Sequence, residues 1–507
     1  MRLWAALLVV MAAASAAAQK RVRDEPPSVE LIRGVEAARE GDRARASVLL
    51  RRVAAGGTRD ARPAREQAQF ELGKVLYKMG LRVGALSMFE RVVRSAAHRY
   101  RQPAFAWLVA LAREPATRAS AEAALADFPA GEVQGTLEWR TVAPLADEAR
   151  YRRGLALRVR APEEAVQLFR AVEGDVYYLD ARLAEAAVLW TRGDASGARA
   201  VLGDALTLAA DAAAGRRFPR AARTRVRGAV PLALARMAAL EQRWADVETW
   251  AARVPVDAPE RPAALLEAAL ARLAARGQLA QHGGVERLGT LELDDGLSAL
   301  PDVLGRLLYF GWCGPDAERA PADDALAAAR RRVSDLLARV TELRLRYEDD
   351  AAGFAAAVLR KRDAVALGRP VQEGDRLLVA LLDGPALTAA FAQLAALRGE
   401  SARWRAQGPQ WRGSEAAADV LQELEIVKAL TEAELGQRMQ ARLSRVLAAL
   451  EGFRGYAIAR VEVSGSRLPQ ALGLWVTRSG CAALRPPAPA PAPALAPPPR
   501  PSPAIVR

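Results

Sequence analysis

An all-α fold is predicted by three observations. Of 507 residues 114 are Ala, and Ala, Leu, Arg and Glu dominate while aromatics make up 6%. These are the strongest helix formers. In the first half, a small residue, an Ala and a large apolar residue recur at fixed spacing. In the second half, apolar residues recur every seven positions, the pattern of a long helix with one sticky seam. The chain is too long for one ordinary domain, so it holds two or three, or an array that grows unit by unit. With 51% hydrophobic residues, composition disfavours both an all-β protein and a globally disordered one.

Residues 1–18 are expected to be a cleavable signal peptide. Arg2 is a one-charge lead, Leu3 to Ala14 an apolar run of suitable length, and Ala16, Ala17 and Ala18 the small residues at a cleavage site. Cleavage is expected after Ala18. No Cys follows the run, so no lipid attachment site is read, and the run is short for a spanning helix. An uncleaved anchor is the alternative. The implied address is the periplasm of a Gram-negative bacterium, with no transmembrane segment in the mature chain.

Residues 19–276 read as paired helices. The first pair carries Gly34, Ala46 and Leu50, with Gly41-Asp42 in the turn as a helix stop followed by an N-cap. The second carries Leu72-Gly73, Ala85 and Phe89, with Gly80 in the turn. Later come Ala186, Ala198 and Leu202 around Gly193-Asp194, then Ala235, Val247 and Ala251. Gly154, Ala165 and Phe169 fit with a turn one residue shorter, and Phe105 to Phe128 is a degenerate copy. Two antiparallel helices approach closely only where side chains are small, and the large residue fills the next layer.

The stretch ELGKVLYKMGLRVGALSMFERV, with Leu72, Gly73, Ala85 and Phe89, resembles the tetratricopeptide repeat, whose signature includes L-G in the first helix and A-x3-F in the second. Gln69 stands where Trp is usual and Leu76 where Tyr is usual. The resemblance covers roughly residues 27–276, with one good and four moderate matches. It implies an α-solenoid whose first helices line a concave face. That face would include Arg39, Phe70, Lys74, Tyr77, Lys78, Tyr151, Arg158 and Trp190. Two of the chain's five Lys lie one turn apart there, flanked by aromatics. Such a surface suits an extended peptide, with ammonium groups on a carboxylate and rings over apolar side chains.

Residues 277–322 are richer in Gly and Pro and read as a junction. The region 323–455 is expected to be coiled-coil-like. One long helix runs through Leu326, Val333, Val340, Tyr347 and Phe354, and a second from Ser414 to about Phe453 through Val420, Leu424, Val427, Leu435, Met439, Val446 and Leu450. Pairing of the two within one chain is favoured over a dimer seam. Residues 456–485 hold the only strand candidates, read as a small β-hairpin. Residues 486–507, alternating Pro and Ala, read as a disordered, extended tail.

The formal charge is +14, which on its own suggests nucleic acid. Yet 68 of the 73 basic residues are Arg and Asn is absent, the mark of a GC-rich coding sequence, and 59 acidic residues are interspersed with them. A mixed solvated surface follows, and export removes the chromosome as a partner. Two His, His98 and His282, and two Cys, Cys313 and Cys481, give no metal-ligand spacing. No phosphate-loop, nucleophile-elbow or dinucleotide fingerprint occurs. Neither a metal nor a cofactor is expected. Cys313 and Cys481 are candidates for a disulfide in an oxidising compartment. The expected function is a non-catalytic periplasmic scaffold or adaptor that binds an envelope protein within a larger machine for secretion, polysaccharide or motility. A binder of anionic envelope polymer and a carboxylate-based cell-wall enzyme are the alternatives.

Overall fold

The computed structural model describes residues 27–138, 142–174, 176–211, 217–258, 260–261, 264, 267–268, 271, 334–335, 338–382 and 385–464. The expected leader at 1–18, the junction at 277–322 with Cys313, Cys481 and the Pro/Ala tail lie outside these residues. The described residues are all-α, with no strand among them. No single helix among them is long and apolar enough to cross a membrane.

Contacts divide the chain into two compact units. Of the described residues, the first holds those within 27–156 and 393–428, and the second those within 157–392 and 429–464. The division follows contact rather than chain order, because a C-terminal segment belongs to the N-terminal unit.

In the first unit, α1 (Val29–Glu40), α2 (Arg43–Ala54), α3 (Arg62–Lys78), α4 (Arg82–Arg94), α5 (Arg101–Leu111) and α6 (Arg118–Asp127) each pack on the next. Helices α7 (Ala130–Glu138) and α8 (Ala146–Leu157) follow. Helix α1 also touches α3, so consecutive helix pairs stack in sequence order, as in a helical repeat array. Ser28 caps α1, accepting from the Leu31 N–H at 3.2 Å. Gly41 takes the left-handed conformation (φ 89°) that closes α1, and Asp42 then caps α2 through the Arg45 N–H. A Cβ on Gly34 would lie 3.1 Å from Leu50, and one on Gly73 2.9 Å from the Phe89 ring. The core is a train of rings. Tyr100 stacks on Phe70, Phe70 meets Phe89 edge-on, Phe89 stacks on Trp107, and Trp107 meets Tyr77 edge-on.

In the second unit, α9 (Pro162–Arg170), α10 (Tyr178–Thr191), α11 (Ala195–Ala210), α12 (Arg220–Leu240) and α13 (Trp244–Ala252) again pack in order, and α10 touches α12. Ala186, Ala198, Leu202, Ala235, Val247 and Ala251 are all buried. Asp194 caps α11, its carboxylate 2.8 Å from the Gly197 N–H.

The C-terminal helices are α14 (Ala351–Ala366), α15 (Glu373–Leu382), α16 (Pro385–Ala406), α17 (Pro409–Arg412) and α18 (Glu415–Ser464). Two expectations are corrected. The seven-residue stripe through Val340, Tyr347 and Phe354 is not one helix: residues 338–346 are helical, the chain turns at 347–349, and α14 starts afresh behind Asp350. The Asp350 side chain accepts from the Gly353 N–H at 2.7 Å, and Asp favours such a cap over a helix interior. The β-hairpin expected from residue 456 is also absent there, because α18 runs on to Ser464. Extending an existing helix costs far less than nucleating a new element, and partial alternation does not stop it. The remainder of that segment lies outside the described residues.

Within the second unit, residues 338–351 and α18 run antiparallel. The Arg344 guanidinium donates to Ser444 Oγ at 3.0 Å. Gln440 Nε2 donates to the Tyr347 carbonyl. Gly436 sits so close to the Ala351 carbonyl that a Cβ would overlap it. Pairs 344/444, 347/440 and 351/436 run in opposite directions along the two segments. Leu435, Met439 and Leu443 of α18 are buried.

Candidate interaction surface

In the first unit, the second helices of the repeat pairs, α2 and α4, hold the chain's own segment 393–428. Helix α4 begins after Leu81, which has no side chain able to cap it. Glu400, fully buried on α16, supplies the cap: its Oε1 accepts from the Val83 N–H at 2.9 Å. Beside it, Arg403 Nε donates to the Gly80 carbonyl at 3.1 Å. Trp411 on α17 is buried and donates its Nε1–H to Ser47 Oγ of α2 at 2.8 Å. Trp404 packs edge-on against Trp411 and donates to the Ala417 carbonyl. Arg51 of α2 pairs with Asp419. Ser87 and Arg91 of α4 both donate to Glu423, at 2.6 and 3.0 Å. Gly84 gives Val420 room, since a Cβ there would lie 2.9 Å from its Cγ2.

Burial pushes the Glu400 carboxyl up to about 7, against the Val83 N–H and the Arg403 and Arg82 charges that favour the anion. Its Oε2 has no hydrogen-bond partner, so the charged form is costly there. Glu148 is the opposite case. Burial raises it, but hydrogen bonds and charge from Arg113 and Arg152 outweigh that and hold it below the usual range.

The residues expected on the first-helix face divide between the units. Arg39, Phe70, Lys74, Tyr77, Lys78 and Tyr151 belong to the first, Arg158 and Trp190 to the second. Phe70 and Tyr77 are core residues, 7% and 8% exposed, because Tyr100 and Trp107 from the next repeat cover them. They do not line an open surface. Lys74 is half-buried, paired with Glu71 at 2.8 Å and placed 5.5 Å over the Phe70 ring. Lys78 is half-buried, Arg39 exposed, and Tyr151, Arg158 and Trp190 half-buried. Of this set, the first unit leaves Arg39, Lys74, Lys78 and Tyr151 at least partly accessible, three cations and one ring.

His98 is buried between neighbours: its Nε2 lies 3.2 Å from Gln69 Oε1, and its Nδ1 accepts from the Tyr100 N–H. Burial lowers its pKa. Among the described residues no group of three or more His, Cys, Asp or Glu is placed to hold a metal ion. Sequence reasoning missed Glu400, Trp411 and Ser47, whose partners lie hundreds of residues away. No family model, no curated protein and no solved structure matches this chain.

Proposed function

We propose that this chain is a non-catalytic scaffold or adaptor of the bacterial envelope, built on tetratricopeptide-like repeats. It is exported through the segment 1–18 and binds another protein through its repeat units. One observation carries the reading. The first unit holds a helical segment, residues 393–428, on α2 and α4 by an end-on carboxylate cap, a buried Trp and flanking ion pairs. A helical segment laid against a groove of another fold is one of the recurring modes of peptide recognition. With α2 and α4 engaged in that way, the cationic first-helix positions Arg39, Lys74 and Lys78 are the ones we assign to an acidic peptide of the partner.

The test uses the tagged mature chain, expected to begin at Gln19, and capture from envelope extracts. Lys74→Glu with Lys78→Glu is expected to abolish capture while leaving helicity and Tm intact. Equal capture by the folded double variant overturns the assignment of this face. N-terminal sequencing that finds Met1 retained overturns the export reading.

A further inference from the structure

The second unit contains a cavity of about 300 Å³ lined by Arg220, Arg223, Thr224 and Arg227 of α12 and by Pro255, Asp257 and Ala258 of the turn after α13. That volume is at the lower end of the range for small-molecule sites. Arg220, Arg223 and Arg227 stand at i, i+3 and i+7, on one face of the helix. No ion pair or hydrogen bond from any of their guanidinium groups occurs among the described residues, although Arg225 on the same helix is paired with Asp180 at 2.6 Å. The Nε of Arg223 is buried and has no partner. Such a donor normally has one. Asp257 is the one carboxylate of the lining, so the walls carry three positive charges against one negative. The next carboxylate, Glu260, turns its Oε2 against Gly228 instead.

The placement runs against local electrostatics. The first turn of α12 has no acidic residue, and Pro219 at its N-cap makes no side-chain cap. The partial positive charge of the helix start thus adds to Arg220 and Arg223 rather than offsetting them. Three arginines, Arg220 and Arg227 exposed and Arg223 half-buried, line one cavity at the start of a helix, where an oxyanion would meet forked cationic donors and the positive end of the helix. A tetrahedral phosphate matches forked donors from several directions, and Arg suits it better than Lys.

We infer that this cavity is a binding site for a phosphate group, with Arg220, Arg223 and Arg227 as its ligands and Asp257 setting an upper limit on affinity. The site goes beyond the scaffold reading and does not depend on it, since every residue concerned lies in the second unit. The phosphate belongs either to a free compound or to a lipid headgroup, and the two sources separate experimentally.

Sodium pyrophosphate is titrated calorimetrically into the full mature chain at low ionic strength. Flotation with phosphatidylglycerol vesicles is measured in parallel. Saturable pyrophosphate binding is expected. Arg220→Gln with Arg223→Gln should weaken it by about tenfold or more, as charge-assisted hydrogen bonds are lost. Asp257→Asn should tighten it, a gain that a misfolded variant cannot mimic. Flotation that the double arginine variant loses assigns the phosphate to a lipid headgroup. Flotation that is absent or unchanged, with arginine-dependent pyrophosphate binding, assigns it to a free compound. No saturable heat together with no arginine-dependent flotation overturns the site. Pyrophosphate affinity left unmoved by both the arginine and the Asp257 variants overturns it as well.

Discussion

The helix pair α3–α4 in the first unit and the pairing of residues 338–351 with α18 in the second both close on a glycine, by different means. At Gly73 the space is filled by the Phe89 ring, itself held between Phe70 and Trp107. At Gly436 it is filled by the backbone carbonyl of Ala351. The helix starts differ in the same way. Helix α14 is capped by the adjacent Asp350, whereas α4 is capped by Glu400, from the far end of the chain. A ring can tilt by a few tenths of an ångström, but a backbone carbonyl moves only with its helix. A local cap forms with its helix, and a remote one only when the tertiary structure does.

The largest expected effect comes from Gly436→Ala. Alanine returns about 1 kcal/mol of helix propensity, but the new Cβ would overlap the Ala351 carbonyl and force the helices apart. Overpacking costs about 1–3 kcal/mol and sometimes more, so a net loss of about 2 kcal/mol or more is expected, read by chemical denaturation. An unchanged midpoint would mean that the two glycines are equivalent and the backbone contact is not tight.

Next is the remote cap. The Glu400 carboxyl is raised from 4.5 to about 7 in the folded chain. Between those values the folded chain holds a proton that the unfolded chain has released, so stability falls as pH rises through this window and levels off above it. Glu400→Gln keeps an acceptor for the Val83 N–H and cannot ionise. Its stability relative to wild type should therefore grow from pH 5 to pH 8, on the order of 2 kcal/mol. A difference that does not change with pH would show that Glu400 titrates as an exposed residue and that the cap is not buried in solution.

Much of the architecture was legible in the sequence because it is local. All-α character follows from composition, and sequential helix pairing follows from a spacing that repeats. A contact such as Gly73 on Phe89 joins residues a short, fixed distance apart, so it leaves a periodic trace. Glu400 on α4, Trp411 on Ser47 and Gly436 on Ala351 leave none, because nothing near either partner encodes the other. The heptad stripe misled at Tyr347 for a related reason: period alone does not register that Asp349-Asp350 offers the backbone a cap. The partial alternation at 456–463 does not make a strand because a helix already runs into it. On the first-helix face, spacing placed Phe70 and Tyr77 beside Lys74 and Lys78 correctly along the helix. It carried no information about Tyr100 and Trp107, which bury them.

A smaller effect is expected at Gly73. The Cβ of Gly73→Ala would lie 2.9 Å from the Phe89 ring, and Phe89 is fully buried, so the ring must shift against Trp107. Against the propensity gain of about 1 kcal/mol, a net loss of about 1 kcal/mol is expected. Phe89→Leu in the same background should recover part of it by removing the ring. A loss equal to that of Gly436→Ala would erase the distinction between ring and carbonyl.

The smallest effect tests whether cap and contact act together in the second unit. Losing an Asp cap costs about 1 kcal/mol, so Asp350→Ala and Asp42→Ala should destabilise by similar amounts when each is made alone. Their couplings should differ. Asp350 fixes Ala351 as the first residue of α14, and the Ala351 carbonyl is the group that Gly436 receives. Once Asp350→Ala loosens that turn, the carbonyl can retreat and Gly436→Ala should do less harm. The double variant is then expected to lose less than the sum of the single losses, by about 0.5 kcal/mol or more. Asp42 caps α2, whereas Gly73 on α3 receives a ring from α4. Asp42→Ala and Gly73→Ala share no partner and should add. Strict additivity in both cycles would mean that the start of α14 is held by contacts other than its cap. The antiparallel pair would then owe its register to α18 alone.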